Sequence, residues 1–372
     1  MGKKILIVAG EASSDLHAAN LVKEIKKLKP EAEFFGLGGN RMQEAKVKLF
    51  SNIVDLAVVG FVEVLKNINK FKAIFNEVLR QVDILKPDLA ILIDYPGFNL
   101  RLAVELKKRN ISVVYYISPQ VWAWGRNRLK LIRKLIDKMI VIFRFEEEFY
   151  KKEGILAEFV GHPFLDINRD DCPLDIPQGK TTIALLPGSR NNEIKRLLPV
   201  MLEAAKIIRN KVPNSQFLLL RSSSVKKELY QQILENYQLP ILAFENKTHQ
   251  GLRSSDFALI ASGSATLEGA IAQKPFLIIY KISWLTWLCL RPIIKIPYIG
   301  LVNIVAGSKI IQEFTQHLAQ PQTIASHVIE TLDNPEKLSC IKNELARVRS
   351  LLGTKGAARH AARIITEFLS KN

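Results

Sequence analysis

A chain of 372 residues, 48% of them hydrophobic and 24% charged, can bury large cores, which excludes a disordered chain and predicts two domains. Its 53 Lys and Arg against 36 Asp and Glu leave a net charge of +17, so the surface is expected to attract an anionic partner: nucleic acid, phosphate-bearing substrates or acidic lipid. Three widely spaced cysteines, Cys172, Cys289 and Cys340, offer neither metal-ligand spacing nor an even count, which argues against a disulfide framework and fits a reducing, cytosolic compartment.

Ile5 to Ala9 reads as a buried first strand. Its apolar run is too short for a signal peptide and leads into acidic Glu11. No run approaches the roughly 20 apolar residues of a membrane span. The turn Gly10 to Asp15 opens a helix carrying Leu21, Ile25 and Leu28. Strand, small-residue turn and helix begin a doubly wound sheet, in which ligands sit at the carboxyl ends of strands. Glu11, Ser13 and Asp15 are therefore candidate ligand contacts, with helix capping as the other role open to Ser13 and Asp15. Phe34 to Leu37 predicts the second strand. Val58 to Phe75 predicts a lysine-rich amphipathic helix that lies either on the core or on an anionic membrane surface.

Leu89 to Ile93 is another buried strand, ending at Asp94-Tyr95-Pro96-Gly97-Phe98-Asn99. A carboxylate at the carboxyl end of a central parallel strand is well placed as a general base, and Asp94 is the catalytic candidate; capping of the next helix is its alternative. Val113 to Ile117 predicts a strand followed by Ser118 to Arg128, where Trp122 and Trp124 stand beside Arg126 and Arg128. Tryptophan in such a loop suits a sugar ring, a lipid or another domain, although core packing of one of them is equally open. Met139 to Ile142 is a further strand, and Phe159 to Gly161 leads to His162-Pro163-Phe164 near the end of the first half.

Asp166 to Lys180 breaks all periodicity, and the strand pattern then restarts at Thr182 to Leu186, Gln216 to Leu220, Ile241 to Ala243, Phe257 to Ile260 and Phe276 to Ile279. Two such alternations predict an α/β chain of two Rossmann-like domains facing a central cleft, residues 1–165 and 181–345, joined by a linker over 166–180. The first turn of the second half, Pro187-Gly188-Ser189-Arg190, precedes a helical face of Ile194, Leu197, Leu198, Met201, Leu202, Ala205 and Ile208. It offers a phosphate a close glycine backbone, a hydroxyl, helix-start amides and an arginine. Pro199 requires either a kink or a helix starting near Arg196; in the second case Glu193 belongs to the loop, beside the ligand.

Ser262-Gly263-Ser264-Ala265-Thr266-Leu267-Glu268 again follows a strand and opens a helix. Its small residues suit a diphosphate and Glu268 suits ribose hydroxyls, although a plain capping box has the same spelling. Trp284 to Pro292 is an apolar patch for the membrane interface or for a buried helix. Residues 346–372 are helical, with Gly353 and Gly356 at a break. The sequence leaves open whether the last helix packs within one chain or across a homodimer.

As a set, these motifs resemble those of the lipid-A-disaccharide synthases, inverting glycosyltransferases of the two-Rossmann-domain (GT-B) type. The matching segments are Gly10-Glu11-Ala12-Ser13, Asp94-x-Pro96-x-Phe98-Asn99, Ser118-Pro119-x-Val121-Trp122-Ala123-Trp124, Gly161-His162-Pro163, Leu186 to Arg190, Ser262 to Glu268 and Asn303-x-x-Ala306-Gly307. Ser14 and Gly97 depart from the family pattern, which usually has Gly and often Asp there.

The resemblance implies transfer of 2,3-diacylglucosamine from its UDP derivative to 2,3-diacylglucosamine 1-phosphate. Asp94 matches the catalytic aspartate. Gly188, Ser189, Arg190, Glu193, Ser262, Gly263, Ser264, Thr266, Glu268 and Asn303 fall on the donor side. Glu11, Ser13, Asn99, Trp122, Arg126 and His162 are the acceptor-side candidates. The resemblance also implies a last helix that crosses back to the first domain. No metal or other cofactor is expected, since Asp170-Asp171 is an adjacent pair rather than Asp-x-Asp.

The expected setting is cytoplasmic, peripheral to the anionic inner-membrane surface, with acylated glucosamine substrates and no nucleic acid as partner; the basic residues are dispersed rather than striped with stacking aromatics. The alternatives are another GT-B UDP-sugar enzyme, a lipid-acceptor transferase or an epimerase, which should lack the Trp122 loop in this setting, and a non-catalytic membrane-surface protein, which would not require Asp94.

Overall fold

The computed structural model describes residues 2–52, 68–123, 125–167, 172–283 and 297–371, and not the side chains of Ala12, Ile68 and Arg126. The expectations placed on residues 58–67, Trp124, the Arg126 side chain, Asp170-Asp171 and Trp284 to Pro292 lie outside the described residues. The chain forms two units, residues 1–166 with 352–372 and residues 167–351.

In unit 1 the elements run β1 (Lys4–Ala9), α1 (Ala12–Leu28), β2 (Glu33–Gly38), α2 (Asn40–Glu44), β3 (Lys48–Asn52), α3 (Ile68–Leu85), β4 (Leu89–Ile93), α4 (Pro96–Lys108), β5 (Ser112–Tyr116), α5 (Leu129–Leu135), β6 (Lys138–Val141), α6 (Arg144–Lys152) and β7 (Ala157–Phe159). All strands are parallel, in the order β3-β2-β1-β4-β5-β6-β7. Helices cover both faces of such a sheet, so β1 and β4 are near-continuous apolar runs and every residue of β4 is buried. The strand order reverses between β1 and β4, whose last residues Ala9 and Ile93 pair. Their carboxyl ends form the crevice where ligands of open α/β sheets bind.

Unit 2 repeats the plan with β8 (Thr181–Leu186), α7 (Asn191–Lys211), β9 (Ser215–Arg221), α8 (Lys227–Leu234), β10 (Ile241–Glu245), α9 (Thr248–Arg253), β11 (Phe257–Ala261), α10 (Ala265–Ile271), β12 (Phe276–Tyr280), α11 (Leu301–Ala306), β13 (Glu313–Thr315), α12 (Pro321–Leu332) and α13 (Pro335–Leu351). The order is β10-β9-β8-β11-β12-β13, again parallel, with its switch point between β8 and β11. The seven apolar residues expected on one face of α7 are all buried. Pro199 lies inside that helix, which starts at Asn191, so the later start is excluded and Glu193 belongs to the first turn.

The chain then returns to unit 1 as α14 (Ala357–Lys371), which packs on α1 of its own chain. The return is tied by the His162 N–H donating to the Leu352 carbonyl (2.8 Å) and by the Gly356 N–H donating to the Asp166 carboxylate (2.5 Å). Three strands were not anticipated, β3, β7 and β13. All are short, and Lys48, Ser51, Glu158 and Glu313 interrupt any apolar pattern there.

Candidate functional site

At the switch point of unit 1, β4 delivers Asp94 and Tyr95 in consecutive left-handed conformations, φ 47° and 48°. An aspartate tolerates this region, whereas a tyrosine there is strained by about 1–3 kcal/mol and needs support. Asn99, one turn into α4, donates from Nδ2 to the carbonyls of Ile93 (3.1 Å) and Asp94 (2.7 Å). The Tyr115 hydroxyl at the end of β5 donates to the same Asp94 carbonyl (2.5 Å). The Tyr95 ring stacks on Phe98 and leans over Gly10. The N-cap position of α4 is Tyr95, so Asp94 is not the cap of that helix.

Burial pushes the Asp94 carboxyl up to about 6; the Glu11 carboxylate adds to the rise and the Tyr95 N–H opposes it. Glu11 is exposed at the N-cap position of α1, and Ser13 is exposed in the first turn. A carboxylate with this proton affinity, set where ligands bind, can accept a proton near neutral pH. Asp15 does something else. It is buried, and its carboxylate accepts from the N–H groups of Gly39 (2.7 Å), Arg41 (3.0 Å) and Met42 (3.2 Å), so it caps α2 instead of its own helix or a ligand. Asn99 is likewise fully buried and braces the turn from beneath.

Next along this edge of the sheet, the loop after β5 carries half-buried Trp122, whose indole N–H donates to Glu146 (3.0 Å). His162 is 5% exposed, its ring lies between Phe143 and Phe164, and its Nδ1 accepts from the Phe164 N–H (3.1 Å). The structure thus uses His162 to fix the chain where it leaves unit 1. Glu146 and Tyr115 escaped the sequence reading. An acid in the first turn of a helix and a tyrosine closing an apolar strand are both ordinary, and neither pattern marks its long-range partner.

In unit 2, Gly188 has φ 108° and Glu193 folds back over it. The Glu193 carboxylate accepts from the N–H groups of Ser189 (2.9 Å) and Arg190 (3.3 Å) and from the Arg190 guanidinium (3.1 Å). The loop amides expected to receive a phosphate are therefore taken by this side chain, as in a capping box. The Arg190 side chain remains 81% exposed. Across the switch point, Ser262 Oγ donates to the Ile299 carbonyl (3.1 Å) and buried Thr266 Oγ1 to the Gly263 carbonyl (2.7 Å). Space beside Gly263 is open, Ser264 is exposed, and Glu268 stands half-buried in the first turn of α10.

Asn303 departs from its expected donor contact. It is fully buried, donating to the Ile311 carbonyl and Glu313 (both 2.8 Å) and accepting from the N–H groups of Ile310 (3.0 Å) and Ile311 (2.9 Å). Such a side chain has no hydrogen-bonding capacity left for a ligand. Among the described residues no His, Cys, Asp or Glu cluster could hold a metal, and no helix is long and apolar enough to cross a membrane.

A family model described as lipid-A-disaccharide synthetase matches residues 5–368. Proteins named lipid-A-disaccharide synthase from Syntrophus aciditrophicus and Geobacter sulfurreducens are 41% and 40% identical, covering 100% and 99% of this chain and 99% and 98% of their own lengths. A lipid-A-disaccharide synthase 1 of Legionella pneumophila is 36% identical over 95% of this chain and 94% of its own. Among solved structures, a UDP-GlcNAc 2-epimerase from Neisseria meningitidis bound to UDP-GlcNAc superposes with a TM-score of 0.64 at 15% identity, covering 99% of this chain and 100% of its own. A glycotransferase of kitacinnamycin gives 0.64 at 13%, covering 98% and 99%. At these identities the structures share the fold alone.

Proposed function

The chain belongs to the lipid-A-disaccharide synthase family, and from that premise we propose how its residues divide the reaction. The protein is a glycosyltransferase of two Rossmann-like units that forms the lipid A disaccharide, moving 2,3-diacylglucosamine from its UDP derivative onto 2,3-diacylglucosamine 1-phosphate with release of UDP. An acceptor hydroxyl is a poor nucleophile. Asp94 takes its proton as the oxygen attacks the anomeric carbon and the bond to UDP breaks. The observation that carries this role is the raised proton affinity of a carboxylate held at the switch point of unit 1.

On unit 2 the exposed Arg190 guanidinium meets the negative charge that develops on the departing UDP. The Gly263-Ser264 turn seats the diphosphate and Glu268 the ribose, while Gly188, Ser189 and Glu193 shape the arginine loop. Thr266, Ser262 and Asn303 hold these loops from behind. Glu11, Ser13 and Trp122 face the acceptor, with Asn99 and His162 as its supports, and Arg126 is assigned to the acceptor from its place in the sequence alone. UDP release with both acylated substrates should fall steeply in Asp94→Ala and Arg190→Ala; full activity in both variants would show the assignment to be wrong.

We also propose that the +17 chain works against the anionic cytoplasmic face of the inner membrane without crossing it. Flotation with anionic vesicles should weaken as salt rises. Flotation that salt leaves unchanged, or none at all, would contradict this.

A further inference from the structure

Three residues of α6 contact the aromatic loop that follows β5. Glu146 Oε1 accepts from both the Ser118 hydroxyl (2.9 Å) and the Trp122 indole N–H (3.0 Å), and Oε2 accepts from the Phe143 N–H (3.3 Å). Four residues on, and so on the same helix face, the Tyr150 hydroxyl donates to the Pro119 carbonyl (3.1 Å). The Phe145 ring meets the Trp122 ring edge to face at 5.1 Å. Glu146 is 1% exposed. A buried carboxyl is tolerated only when its hydrogen bonds are complete, and here three donors supply them.

We propose that Glu146 is a positioning residue that sets the Trp122 indole for the acceptor sugar, so that the first two turns of α6 act as a clamp on the acceptor loop. This rests on the acceptor role given to Trp122 above. Glu146 itself touches no substrate. Its two partners on Oε1 are four residues apart in the loop, so one oxygen fixes both the start of the loop and the indole plane. Truncating it releases Trp122 while leaving the Asp94 turn and the unit 2 loops intact, and the effect should fall on one substrate only.

Steady-state kinetics of the full chain test this with Glu146→Ala, Glu146→Gln, Trp122→Phe and the Glu146→Ala/Trp122→Phe pair. Glu146→Met, which fills the space without an acceptor oxygen, serves if the alanine variant does not fold. The expected result is a rise of about tenfold in acceptor KM for Glu146→Ala, with donor KM within about twofold of wild type. Glu146→Gln, which keeps an acceptor oxygen, should recover most of the loss, and the double variant should be no worse than the poorer single one. An unchanged acceptor KM in Glu146→Ala beside a raised one in Trp122→Phe overturns the clamp alone. An unchanged acceptor KM in Trp122→Phe overturns both the clamp and the role of Trp122.

Discussion

The Tyr95 ring occupies the space that a Cβ on Gly10 would need: such an atom would fall 2.3 Å from Tyr95 Cδ1. The turn after β1 and the turn after β4 are therefore packed as one piece, and the position of Asp94 depends on the absence of a side chain at the end of the neighbouring strand. Gly10→Ala should displace Tyr95, destabilise the fold by about 1–3 kcal/mol and lower kcat while leaving UDP affinity alone. Tyr95→Ala should relieve that clash, so the double variant should be less impaired than the two single effects combined. Chemical denaturation and single-turnover rates read both.

Asp94 acts as a base only when ionised, so kcat should rise with pH through about 6. Glu11→Gln removes the neighbouring negative charge and should move that acidic limb to lower pH. Stability runs the other way. Because the folded state raises the proton affinity of Asp94 above its ordinary 3.8, the charged carboxylate costs stability as pH climbs from about 4 through 6. Asp94→Asn should therefore be more stable than wild type at pH 7–8, by about 1–3 kcal/mol, with the gain vanishing below pH ~4. Thermal melts across pH decide the sign.

Gly188 combines φ 108° with Glu193 Oε2 lying 2.3 Å from where its Cβ would be. Gly188→Ala should break the Glu193 contacts and raise donor KM. Glu193→Ala should lose about 0.5–2 kcal/mol as the helix start loses its cap, and should raise donor KM more than acceptor KM because Arg190 loses its partner. Equal changes in the two KM values would contradict the donor assignment of this loop.

His17 on α1 is held neutral: burial lowers its pKa from 6.5 to about 4, with the Asp166 carboxylate opposing the fall. The unfolded chain binds this proton first. The stability is therefore complete above pH 6.5 and is lost as pH falls toward 4. His17→Gln should flatten the stability profile between pH 6.5 and 4, as read from denaturant midpoints.

Both sheets were legible because buried parallel strands spell themselves as apolar runs, and Leu89 to Ile93 appears in the structure with the bounds read from sequence. The two switch points were legible as well, since small-residue turns and Asp94 follow those runs. Three of the four edge strands were not: β3, β7 and β13 are short and bury only part of their faces. The other misreadings share one cause. Asp15, Glu146 and Asn303 bind partners through side-chain hydrogen bonds that cross from one loop or helix to another, and no periodicity records such a pairing. For Glu193 the partner was near, but an acid three residues after the N-cap Arg190 serves a phosphate loop and a capped helix alike.

The role of Asp94 as the base is tested most directly by the rate of disaccharide formation by Asp94→Asn at pH 8, saturating in both acylated substrates, with UDP affinity measured on the same preparation. Asparagine keeps the left-handed turn and the shape of the side chain but accepts no proton. Proton acceptance by Asp94 predicts a loss of about 10²–10⁴ in kcat with UDP affinity unchanged. A folded Asp94→Asn enzyme with kcat within about twofold of wild type would contradict it.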